Sequence, residues 1–75
     1  MLFTQKLVEW LGDVYCGQEV HVTPDGNDSH AEYFLVTIGA NLKEEYKVIL
    51  EPERYGDIEW RKVGSEDWEF AETLA

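Results

Sequence analysis

Few residues in this chain have the types and spacing that chemistry needs. His21 and His30 flank a Pro-Asp-Gly-Asn turn signal, with Asp28 and Cys16 nearby in the sequence. If Asp25-Gly26 is a two-residue hairpin turn, counting outward sets the two histidines directly opposite. Two histidines and a carboxylate can bind zinc, but a structural site takes four ligands, often with two or more cysteines. Two exposed hairpin histidines are the plainer expectation. Asp25, Asn27 and Ser29 alternate like the start of a calcium loop. His30 stands where such a loop needs glycine, and Val36 where it needs glutamate, so an EF-hand is rejected. Cys16 has no close histidine and no CxxC partner, which predicts a buried or partly buried structural thiol. Carboxylates are so frequent that any two make an acid/base pair, which removes the force of the pattern. Glycine-rich phosphate loops, metalloprotease helices and serine elbows are absent. The sequence predicts no enzyme, no cofactor and no metal.

The more informative stretch is GDIEWRKVGSEDWEF, residues 56–70. The chain has 75 residues and a net charge of −10, from 16 acids against six Lys and Arg. Residues 1–50 carry −5, and residues 51–75 carry another −5 in half the length. That last third also holds Tyr55, Trp60, Trp68 and Phe70. Solubility alone does not require charge to travel with large aromatics. A surface mixing the two suits a basic protein groove: acids steer, and aromatics anchor. The candidate partner-binding residues are Glu51, Glu53, Tyr55, Asp57, Glu59, Glu66, Asp67, Trp68, Glu69, Phe70 and Glu72. Alternate strand residues lie about 6.7 Å apart. Asp57/Glu59, Asp67/Glu69 and Glu51/Glu53 would then space carboxylates somewhat like successive phosphates. Trp60 shares a face with Ile58 and is expected in the core; Trp68 and Phe70 are the candidates for exposure.

The elements that position these residues follow from periodicity. Residues 3–15 have apolar positions at Phe3, Leu7, Val8, Trp10, Leu11, Val14 and Tyr15, the spacing of an amphipathic helix. Gly17 stops it. Period-two alternation then predicts strands over 18–23, 30–38, 44–51 and 57–63. Turn signals separate them at residues 24–29, at Gly39-Ala40-Asn41 and at residues 52–56. Phe34, Val36 and Ile38 share one face; Tyr46, Val48 and Leu50 share another. The tail is either a helix capped by Ser65 or a fifth strand over 66–72 behind a Gly64-Ser65 turn, the reading preferred here. That turn pairs Lys62 with Asp67 and Arg61 with Trp68. Short connections imply a meander. The expected fold is therefore α+β in two layers: an N-terminal amphipathic helix packed on an antiparallel sheet of four or five strands, in one small acidic domain, 1–75.

One cysteine and the lack of a secretory start or an apolar span predict a cytoplasmic protein. The charge disfavours direct nucleic-acid or membrane contact. In size, charge and layout the chain resembles small inhibitors: phage-encoded anti-restriction, anti-CRISPR and uracil-DNA glycosylase inhibitor proteins, and bacterial immunity proteins that block nucleases. The resemblance implies a stand-alone, non-catalytic chain of a bacterial or infected host cell that acts as a DNA mimic on a basic nuclease or other DNA-processing enzyme; a monomer or homodimer is expected. Charge reversals in residues 51–72 are then expected to weaken binding, and changes at Lys6 or Lys43 to leave it alone. The alternative is a structural or assembly module of a phage or mobile element that self-associates through a sheet edge.

Overall fold

The computed structural model describes residues 2–40 and 42–74. Asn41, part of the expected second turn, lies outside them. A helix α1, Thr4–Val14, precedes five strands: β1 Val20–Asn27, β2 Ala31–Ile38, β3 Leu42–Ile49, β4 Asp57–Lys62 and β5 Glu69–Thr73. A short 3-10 turn, Pro52–Arg54, joins β3 to β4. The strands form one antiparallel sheet in the order β1-β2-β3-β4-β5, and α1 packs on one face. This is the expected two-layer α+β meander, with the fifth strand present. The tail is not a helix, and β5 begins three residues later than the alternation suggests.

The core lies between α1 and the sheet. Leu7 and Leu11 of α1 are fully buried against Phe34, Val36 and Ile38 of β2, Tyr46 and Val48 of β3, and Ile58 of β4. Each such side chain contributes about 1.5–3 kcal/mol through removal from water. Trp10 meets Tyr46 edge-on at 6.2 Å, and Tyr46 stacks with Trp60 at 6.5 Å. Trp60 is thus half-buried against the core, close to expectation.

Two carboxylates on the apolar face tie down both ends of the helix. Glu32 is 2% exposed and shares its face of β2 with Phe34 and Val36. Its Oε1 accepts the Phe3 N–H at 2.8 Å and its Oε2 the Leu2 N–H at 2.7 Å. Phe3, at the cap position, offers no side-chain cap. Glu32 therefore serves the orphan N–H groups from the sheet, and its charge suits the positive end of the helix. Glu44, 3% exposed, accepts hydrogen bonds on Oε1 from Tyr15 Oη at 2.9 Å and Tyr46 Oη at 2.8 Å. Burial, joined by the hydrogen bond to this carboxylate, raises both phenols above their ordinary value. Neither glutamate was singled out from the sequence. The signal was available: extending the faces of Phe34 and Tyr46 by two residues reaches both.

The first hairpin departs from expectation. β1 runs on through Pro24-Asp25-Gly26-Asn27, and its register slips between Pro24 and Asn27, where Gly26 has φ +95°. The turn lies instead at residues 28–30. Asp28 Oδ1 accepts the N–H groups of His30 and Ala31 at 2.8 and 2.9 Å. These bonds hold the Asp28 carboxyl below the usual carboxylate value. The side chain thus closes the reversal together with the Asp28 N–H, which donates to the Ala31 carbonyl at 3.0 Å. His21 consequently faces Thr37, and the histidines do not meet. Cys16 is exposed rather than buried, because it follows the helix in a solvated turn. Among the described residues no helix is long and apolar enough to cross a membrane.

Candidate functional site

The candidate residues fall in three different places. On the sheet face away from α1, three acids are matched by three cations. Glu45 Oε2 accepts from Arg61 Nε at 2.7 Å. Glu59 meets Lys47 Nζ at 3.2 Å and Arg54 Nη2 at 3.0 Å. Asp57 accepts from Arg54 Nε at 3.2 Å and from Thr73 Oγ1 at 2.7 Å. Burial works against ionisation of Glu59, but the bonds from Arg54 and Lys47 outweigh it and hold its carboxyl below the usual range. Asp57 and Glu59 are therefore engaged within the molecule. They do not present the free pair of carboxylates that alternation suggested.

Trp68 lies on the same face. Arg61 Cζ is 4.3 Å and Lys47 Nζ 4.6 Å from its ring centroid. The expected Arg61–Trp68 cation–π contact is present, and it half-buries Trp68 rather than leaving it exposed. The expected Lys62–Asp67 ion pair is not among those of the described residues. Gly64 has φ +94°, and the Ser65 N–H donates to the Lys62 carbonyl at 2.9 Å, closing the turn after β4. That reversal returns the chain beside β4 with Trp60 opposite Glu69.

The second surface is the segment 66–72 at the sheet edge. Glu66, Asp67, Glu69 and Glu72 are exposed, and none has a cationic partner among the described residues. Phe70 is 59% exposed. The register gains a residue between Ile58 and Glu59: Phe70 faces Glu59, and Glu72 faces Ile58. Glu69 and Glu72, three apart, therefore stand on the same helix-bearing side of β5, while Phe70 stands on the other. In a regular strand, residues three apart point to opposite faces. The bulge thus places acids along one flank of the edge and an aromatic ring on the other. A cleft of about 240 Å³ opens under this segment, lined by Trp60, Arg61, Lys62, Ser65, Asp67 and Glu69.

Glu51, Glu53 and Tyr55 sit at the connection of β3 to β4. Glu53 belongs to the 3-10 turn and Glu51 precedes it, so the two lack strand spacing. Glu51 Oε1 is 4.0 Å from His30 Nδ1. Tyr55 is 45% exposed and rests edge-on against Phe3 at 5.3 Å. Among the described residues no three His, Cys, Asp or Glu side chains gather as a metal site. Chemically, the edge segment offers free carboxylates to cations and Phe70 to an apolar pocket.

No family model, curated protein or solved structure matches this chain.

Proposed function

We propose that this protein is a non-catalytic inhibitory binding protein. It docks its acidic, aromatic edge on a basic nucleic-acid-binding site of a partner enzyme, in the manner of a DNA mimic. The supporting observation is that Glu66, Asp67, Glu69 and Glu72 stand exposed near exposed Phe70 with no cationic partner among the described residues, while Asp57 and Glu59 are paired with cations nearby. The docking set therefore narrows to segment 66–72 with Trp68 as its support, and Glu51, Glu53 and Tyr55, at the β3–β4 connection, fall outside it. Acids of this kind accelerate and orient encounter with a basic groove. Phe70 supplies the apolar anchor.

Self-association through the β5 edge fits less well. It would bring Glu69 and Glu72 of two copies together, and like charges facing across strands destabilise pairing.

The test is capture from the lysate of a candidate host cell on immobilised chain, with low-salt and then high-salt elution. The expected result is a DNA-processing enzyme released by salt, whose DNA binding the free chain then blocks. An enzyme that holds DNA and the chain together without mutual effect overturns the proposal, as does retention of nothing salt-sensitive.

A further inference from the structure

The sheet has two edge strands, and they are not equivalent. β1 contains Pro24, which has no N–H to offer, its register breaks before Asn27, and α1 lies nearest to it. Among the described residues β5 pairs with β4 alone, which leaves its outer backbone unpaired there. The Leu74 N–H donates inward to the Gly56 carbonyl at 2.8 Å. Backbone directions alternate along a strand, so the preceding N–H, that of Thr73, turns outward. Glu72 Oε1 accepts it at 3.0 Å. A carboxylate of the edge strand thus guards an outward donor against strand addition.

Building on the docking proposal above, we infer that β5 accepts a sixth strand from a partner segment that alternates cationic and apolar side chains. A lysine or arginine arriving opposite Glu72 draws the carboxylate into a charge-assisted pair and frees the Thr73 N–H for a strand carbonyl. A neutral or acidic strand offers no such exchange. The bulge sets the pattern of the incoming strand. Glu69 and Glu72 share one flank, so successive cations at alternate positions meet both. The apolar residue between them falls on the other flank, beside Phe70. Strand addition of this kind takes affinity from the main chain and selectivity from alternate side chains.

The test uses the full isotope-labelled chain and three capped peptides. One alternates lysine with valine. The second replaces lysine with glutamate. The third keeps the lysines but carries N-methyl groups on the amides of one edge. The lysine peptide is expected to bind, with amide shifts centred on Phe70 to Thr73 and slowed exchange there. N-methylation is expected to weaken it about tenfold or more, and so is E69Q/E72Q in the chain. Equal binding by the N-methylated peptide overturns strand addition while leaving acidic docking standing. Equal binding by the lysine and glutamate peptides overturns both. Shifts centred on β1, an undiminished E69Q/E72Q variant, or no binding at all also overturn the inference.

Discussion

Glu32 and Glu59 are two acids in one sheet with opposite surroundings. Glu32 spends both oxygens on backbone donors at the start of α1. Glutamine in its place keeps the shape but turns an NH2 group toward one of those N–H groups. Glu32→Gln is therefore expected to cost about 1–3 kcal/mol, the penalty for one unsatisfied buried donor, read from urea midpoints. An unchanged midpoint would show that the carboxylate is not what holds the helix start. Glu59 is held in the ionised state by Arg54 and Lys47. A carboxyl whose folded value lies below its unfolded value stabilises the fold above the unfolded value. That contribution is lost as pH falls through the folded value. Glu59→Gln should lower stability by about 1–2 kcal/mol at neutral pH. The gap to the parent chain should close on acidification below about pH 4, the ordinary carboxylate range. A gap that persists in acid would assign the loss to packing. Composition does not separate these acids: Glu32, Glu59 and Glu69 are the same residue type, told apart only by face and neighbours.

At the scale of elements, β5 is held by its pairing with β4 and by Ala71 and Leu74 against the core, and Trp68 adds a contact that holds the preceding loop on the sheet. It contacts Arg61 and Lys47, and each cation–π contact is worth about 0.5–1 kcal/mol. Trp68→Ala should destabilise the chain by about 1–2 kcal/mol and speed amide hydrogen exchange in Glu69–Thr73 more than in β2. Uniform acceleration across the sheet would mean that the indole supports the whole core instead. Much of this level was legible in the sequence. The apolar spacing of Phe3 to Tyr15 located α1 to within a residue at each end, and period-two runs located four strands. The Gly64-Ser65 turn correctly brought Arg61 to Trp68. The first hairpin was misread because Pro24-Asp25-Gly26 carries a turn composition yet forms a bulge within a strand. The actual reversal joins a backbone bond from Asp28 to Ala31 with the Asp28 side chain capping two N–H groups. The bulge in β5 left no mark in the alternation, yet it decides which acids share a flank.

For the whole molecule, the decisive feature is that the −10 charge is not spread evenly over function. Acids on the open sheet face are balanced by Lys47, Arg54 and Arg61, two others are buried under the helix, and the edge segment has no cationic partner among the described residues. The sequence located the acidic third of the chain but not which of its acids are free, because Arg54 and Lys47 reach Glu59 only through the folded sheet. The most direct test compares two variants with equal charge change. One carries E66Q/D67N/E69Q/E72Q at the edge; the other carries E9Q/D13N/E19Q/D25N on the helix and first hairpin. Affinity for the captured partner is measured for both at one ionic strength. Docking through the edge entails a loss on the order of tenfold to a hundredfold for the edge variant and near-parent binding for the other. Equal losses would contradict it, since binding would then follow net charge rather than the β5 edge.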